Sequence, residues 1–282
     1  MTATTTRPAR PGFWDRPATW KAVALVVGYL VFYLAVSRLI GVLFADQIDQ
    51  EDLIGNATST FFALVLPIAI GFLGLLLFTW RVGWLPVVFG PQPIRGRGWM
   101  WLAPVLVLAA IVGHVGTTDW SRWTGAEIAM IGLGGLFIGL SEELATRGLA
   151  VKILRDAGKP ERFVAVVSSL LFALMHMGNV LAGIPLATVL TTVVYTFFFG
   201  VCMYLSMRVT GTIWAAIILH ALTDPTTMLA TGGIDETVGT RTATIWDALA
   251  AYGVIAFMVF AAVAVLLVRG RVGGRTELAG AR

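Results

Sequence analysis

Glu142-Glu143-Leu144-Ala145-Thr146-Arg147 stands inside a stretch, residues 127–154, that is otherwise apolar enough to cross a bilayer. A carboxylate near the middle of a membrane costs several kcal/mol on insertion scales, so such residues usually face a cavity and serve a function. Two adjacent acids with a base four or five residues on read as a site built into a membrane helix.

The rest of the chain agrees with that reading. Its 282 residues are 57% hydrophobic and 13% charged, with a mean hydropathy of +0.84, whereas a soluble domain carries about a quarter charged residues. Runs of roughly 20 apolar residues recur, and inside lipid a helix satisfies its own backbone. The fold class is therefore all-α, a polytopic membrane protein. Eight spans are expected, at about 21–44, 58–80, 98–116, 127–154, 162–183, 186–207, 210–231 and 246–268. The first run is too long for a signal-peptide core and lacks a small-residue cleavage site, so it reads as an anchor. One transmembrane domain, 21–268, with its motif core at 127–231, is expected between polar tails at 1–20 and 269–282.

Loop charges orient this layout. Arg7, Arg10, Arg16 and Lys21, then Arg81, Arg95 and Arg97, then Lys152, Arg155, Lys159 and Arg162 fall on one side. Arg208, Arg269, Arg271, Arg275 and Arg282 join them. The other side receives Asp46, Asp49, Glu51, Asp52, Asp119, Asp235 and Glu236, with Arg122 and Arg241 as its bases. Eight spans with both termini in the cytoplasm sort these charges by the positive-inside rule. The net charge of +4 is thus topology rather than a nucleic-acid surface. Trp80, Trp84, Trp99, Trp101, Trp120, Trp123 and Trp246 flank span ends, as an interfacial belt would. The segment from Val82 to Ile94, with three prolines, reads as an irregular or short amphipathic piece. Cys202 is the single cysteine, so neither an internal disulfide nor a thiolate cluster can form, and it reads as a small core hydrophobe. The Ala/Gly/Arg-rich composition suits a bacterial cell membrane protein.

Few polar residues lie within the spans. The fourth carries Glu142, Glu143 and Arg147; the fifth carries His176, in Phe172-Ala-Leu-Met-His176, and Asn179; the seventh carries His220 and Asp224 on one face. At ~1.5 Å per residue these groups reach similar depths and would share one cavity. The spacing of Glu143 and Arg147 reads as a buried ion pair holding helices together. His114, near the outer end of the third span, has no acidic neighbour in sequence and reads as structural. Gly135-x-x-x-Gly139 invites another helix close to the fourth span, and Pro225 frees the carbonyl of Ala221.

A carboxyl group in an apolar pocket can take a proton from water and pass it to a leaving amine. Imidazoles can orient that water or donate to an oxyanion. No serine or cysteine stands within the set as an evident nucleophile, and Ser141 points to another helix face, so attack by water is favoured. Glu142, His176, His220 and Asp224 are also adequate ligands for a divalent metal such as zinc, although the His-Glu-x-x-His motif is absent and no cofactor is required.

Glu142-Glu143-x-x-x-Arg147, Phe172-x-x-x-His176 and His220-x-x-x-Asp224, in that order on successive apolar helices, resemble the CAAX protease and bacteriocin-processing family. That family includes the type II CAAX prenyl endopeptidases. The resemblance is carried by about 90 residues and the eight-helix layout. It implies a glutamate-dependent intramembrane endopeptidase in which Glu142 with His176 activates water and His220 with Asp224 stabilises the intermediate. Glu143 and Arg147 would be mainly architectural, with Phe172 and Asn179 supporting the site. The substrate would be a peptide or protein reaching the membrane, lipidated or not, and no nucleic acid is involved. One departure stands out: Asp224 occupies a position often held by asparagine. An ionised carboxylate cannot donate to an oxyanion, so Asp224 would be protonated, orient His220 or bind a metal.

Two other classes fit intramembrane acids and histidines: a non-catalytic immunity or scaffold protein, and a proton-coupled transporter. The lack of an inverted repeat speaks against the transporter, and the cost of burying so many ionisable groups without use speaks against the scaffold. The orientation is directly testable. Ala3→Cys and Leu278→Cys, each in a Cys202→Ser background, are expected to react with a membrane-impermeant thiol reagent only from the cytoplasmic side; labelling from opposite sides would mean an odd number of spans.

Overall fold

A computed structural model describes residues 12–234 and 242–273. Of the charges that orient the chain, Arg7, Arg10, Asp235, Glu236, Arg241, Arg275 and Arg282 lie outside the described residues. Eight long helices follow the expected spans within four residues. They are α1 (Trp20–Leu43), α2 (Ala57–Arg81), α3 (Gly98–Thr117), α4 (Gly125–Asp156), α5 (Glu161–Ala182), α6 (Leu186–Thr210), α7 (Trp214–Thr231) and α8 (Ile245–Leu267). The described residues contain no strand, only an isolated bridge between Pro160 and Arg271. Val82 to Ile94 holds the short helix Leu85–Phe89.

Seven of these helices, rather than eight, are long and apolar enough to cross a membrane, and α7 is the exception. His220, Asp224, Pro225 and four threonines dilute its apolar content over only 18 residues. It packs against α4, α3 and α6, so neighbouring helices supply the surroundings that its sequence lacks. The protein is a multi-pass, all-α membrane protein.

Helix ends follow local chemistry. Thr124 and Glu127 form a reciprocal capping box that starts α4: Glu127 N donates to Thr124 Oγ1 at 3.3 Å and Thr124 N to Glu127 Oε2 at 2.7 Å. Gly211 and Gly232, with φ of 77° and 86°, terminate α6 and α7 in the left-handed region.

Glycines set the closest helix approaches. A Cβ on Gly135 would lie 2.4 Å from Pro225 Cδ, and one on Gly139 would lie 2.8 Å from the backbone nitrogen of Ala221. The Gly135-x-x-x-Gly139 face of α4 is thus the seat of α7, and the Ala221 carbonyl faces it. Gly113 of α3 likewise meets the backbone of Ala250 in α8, at 2.3 Å from its nitrogen.

Where α4 ends and α5 begins, a buried ionic cluster joins several elements. Glu161 accepts from Arg155 through both oxygens, at 2.9 and 2.8 Å, and from Arg208 Nη1 at 2.8 Å. Tyr204 also donates to it. Arg155 reaches Gln92, Arg208 reaches the Arg95 carbonyl, and the Glu161 amide donates to Gly270 after α8. Arg155 and Arg208, expected as loop charges, are therefore buried partners of one carboxylate, because tertiary contacts bring their guanidinium groups to Glu161.

The tryptophan belt needs a similar correction. Trp80, Trp101, Trp120 and Trp246 are exposed, but Trp84 and Trp123 are buried. Trp84 packs edge-on against Trp14 and Phe78 with the Lys152 ammonium 4.4 Å over its ring. Trp123 donates from Nε1 to the Leu229 carbonyl at 3.1 Å.

The α4–α7 contact makes a prediction. Gly139→Val is expected to destabilise the detergent-solubilised protein by about 1–3 kcal/mol through overpacking, read as a lower melting temperature. Gly41→Val, where a Cβ meets nothing within 4 Å, serves as the neutral control.

Candidate active site

Glu142 and Glu143 sit where the α-helical turns of α4 give way to a π-helical segment, Leu144–Ala150. Such widened turns recur at functional sites, and periodicity in the sequence did not reveal this one. Thr146 Oγ1 donates back to the Glu142 carbonyl at 2.6 Å.

The Glu143 side chain is fully buried, and its Oε1 accepts from Arg147 Nη1 at 3.1 Å. The expected ion pair is present. The same oxygen also accepts from His220 Nδ1 at 2.8 Å, a contact the sequence did not suggest. Arg147 donates from Nη1 to Thr146 Oγ1 at 2.7 Å, and its guanidinium lies 4.5 Å over the Phe172 ring. Gly200 of α6 makes room for it, since a Cβ there would lie 2.7 Å from Arg147 Nη2.

Because a carboxylate only accepts, Glu143 fixes Nδ1 of His220 as the protonated nitrogen. Nε2 then faces the other two acids, 3.8 Å from Glu142 Oε2 and 3.5 Å from Asp224 Oδ2. His220 is 2% exposed, while the side chains of Glu142 and Asp224 keep 18% and 28% exposure. The buried side of this cluster is Glu143 with Arg147, and its open side is Glu142 with Asp224.

His176 closes the group from α5, at the point where that helix tightens into the 3-10 segment His176–Ala182. Its Nδ1 lies 3.2 Å from the Phe172 carbonyl, which can only accept, so Nε2 carries the lone pair. His176 is an electrostatic neighbour of Glu142, together with His220, Asp224 and Glu143. Phe172 packs edge-on against both imidazoles, at 5.2 Å from His176 and 5.4 Å from His220. Asn179 lies one turn beyond His176, half-buried in the 3-10 segment.

The residues singled out in the sequence thus converge from α4, α5 and α7. Among the described residues no three His, Cys, Asp or Glu side chains are grouped closely enough to hold an ion. Glu143 holds Nδ1 of His220 and a backbone carbonyl holds Nδ1 of His176, so each ring presents Nε2 to the site. His114 stays apart from the set, 3.3 Å from Thr227 Oγ1, where it ties α3 to α7. Cys202 is buried against the Phe257 carbonyl.

Other contributors left little signal in the sequence. Phe199 and Gly200 of α6 line the His220 and Arg147 side chains. Tyr29 and Tyr33 of α1 are electrostatic neighbours of Glu142. Two tyrosines four residues apart in an apolar span were the available hint.

The sequence model of the family described as Type II CAAX prenyl endopeptidase Rce1-like matches residues 122–226. That segment starts just before α4, ends within α7 and contains every residue of the cluster. No curated protein and no solved structure matches the chain.

Removing one member of the buried pair should be costly for the fold. Arg147→Ala leaves Glu143 buried without its guanidinium, and breaking such a pair costs roughly 3–5 kcal/mol. A clear drop in melting temperature in detergent is expected; an unchanged melting temperature would show that Arg147 is not a structural partner.

Proposed function

With the chain related to the CAAX protease family through its match to the type II CAAX prenyl endopeptidases, we propose that it is a glutamate-dependent intramembrane endopeptidase. The observation that carries the reading is the convergence of Glu142, His220 and Asp224, with His176 beside them, within the matched segment. Glu142 is the base. It is the member of the acidic pair that keeps an open side, whereas Glu143 is spent on Arg147 and His220.

Glu142 removes one proton from a water molecule as its oxygen attacks the peptide carbonyl carbon. His176, whose Nδ1–H is held by the Phe172 carbonyl, accepts the second O–H of that water at Nε2 and aims its lone pair. The carbonyl oxygen becomes an oxyanion. His220 in its protonated form, fixed through Nδ1 by Glu143, donates to that oxyanion from Nε2. Glu142 then passes its proton to the amide nitrogen, the C–N bond breaks, and an amine and a carboxylic acid leave. Asp224, 3.5 Å from Nε2, orients the imidazole, a role that an asparagine side chain can share and that does not require Asp224 to donate. The scheme uses no metal. The substrate is a peptide or protein segment reaching the bilayer, cut on the cytoplasmic side of a bacterial cell membrane.

Purified protein and a peptide library test this reading. Glu142→Gln should lower cleavage by about 10²–10⁴-fold, the usual contribution of a general base, while the melting temperature is retained. Near-normal turnover in that variant would end the glutamate-base scheme, and a wild type that cuts no peptide would favour the scaffold class. Asp224→Asn should keep substantial activity, and chelators should leave the wild type unaffected. Loss of activity on chelation, restored by zinc, would overturn the metal-free scheme.

A further inference from the structure

We propose that Tyr29 of α1 is a positioning residue of this site, its hydroxyl donating a hydrogen bond to the Glu142 carboxylate. The inference rests on the reading of Glu142 as the base. It assigns a role to a helix that lies outside the segment matched by the family.

Tyr29 is 6% exposed, and its hydroxyl oxygen is buried without a hydrogen-bond partner. The ring reaches inward because Gly71 of α2 has no side chain: a Cβ there would stand 3.3 Å from the phenolic oxygen. The hydroxyl approaches Ser141, the residue immediately before Glu142, without completing a bond to it. Ser141 already donates to the Ile138 carbonyl at 3.2 Å, so toward Tyr29 it can only accept, and a neutral hydroxyl oxygen is a weaker acceptor than a carboxylate. Glu142 Oε2 is also buried without a partner. A donor and an acceptor, each buried and unsatisfied, thus lie near enough that the charge of Glu142 acts on Tyr29.

Counting protons singles out this residue. Glu142 faces His176, His220, Asp224, Glu143, Tyr29 and Tyr33. His176 commits Nδ1 to the Phe172 carbonyl and His220 commits Nδ1 to Glu143, with Nε2 shared between Asp224 and Glu142. Glu143 and Asp224 are acceptors when ionised. Tyr33, stacked on Tyr29 with centroids 6.4 Å apart, has Ser37 beside it and does not present a buried unpartnered hydroxyl. Tyr29 is the neighbour whose buried hydroxyl completes no hydrogen bond. A bond between them would fix the carboxylate's orientation and favour its ionised form.

The test combines kinetics with a readout that needs no substrate. Dicyclohexylcarbodiimide modifies protonated carboxyl groups in apolar surroundings, and mass spectrometry reports its adduct at Glu142. In Tyr29→Phe, Glu142 should be modified several-fold faster at a given pH than in wild type, because the donor that favours the ionised carboxylate is gone. Tyr33→Phe should match wild type. On a cleaved peptide, Tyr29→Phe should lower kcat about tenfold with KM and melting temperature unchanged, as expected for one hydrogen bond to a charged group. If Tyr29→Phe loses melting temperature, 3-fluorotyrosine at position 29, a stronger donor of nearly the same shape, should slow the modification instead. Unchanged modification of Glu142 in these variants overturns the proposal whether or not any peptide is cut. Absence of cleavage in wild type, with the modification still responding to Tyr29, would instead count against the protease reading alone.

Discussion

One buried oxygen organises the centre of this protein. Glu143 Oε1 accepts from Arg147 in its own helix and from His220 in α7, so a single carboxylate joins the π-segment of α4 to the neighbouring helix. A charge with no exposure is tolerable only when paired and hydrogen-bonded. That requirement holds the two helices at a fixed distance. Glycines at 135 and 139 permit the distance, since any side chain there would strike Pro225 or the backbone of α7. The orientation of His220, and with it the relation of Nε2 to Glu142 and Asp224, follows from this contact.

A second buried carboxylate does comparable work at the start of α5. Glu161 gathers Arg155, Arg208 and Tyr204, so the ends of α4 and α6 and the loop through Gln92 and Arg95 are tied to the beginning of α5. His176 lies at the other end of the α-helical part of α5. The helix that carries the second imidazole is thus anchored by an ionic cluster at its start and by Phe172, under Arg147, near its end. Because each cluster is buried, neither can relax by taking up solvent, which suits a scaffold that must present reactive groups at fixed positions.

The matched segment accounts for the acids and histidines but not for the whole wall around them. α1 and α2 lie before it and α8 after it. An apolar cleft of about 330 Å³ opens between α1 and α2, lined by Gly28, Phe32, Gly74 and Tyr29 among others. Tyr29 lines that cleft and lies within reach of the Glu142 charge.

The sequence by itself determined the helical class, the places of the eight helices and the membership of the polar cluster. These follow from local properties: apolar run length, and the cost that makes each ionisable residue in such a run stand out. The spacing of Glu143 and Arg147 on one helix likewise foretold their ion pair, and Gly135 and Gly139 foretold a close helix neighbour. Tertiary structure decided the rest. That Glu143 also holds His220, that Arg155 and Arg208 are buried on Glu161, and that Trp84 and Trp123 leave the interface for the core all depend on which helices touch. So does the place of α7, whose composition falls short of a membrane span and whose polar side chains are accommodated by α3, α4 and α6. A contact between residues 77 positions apart has no period or spacing to betray it; it exists only once the helices have packed.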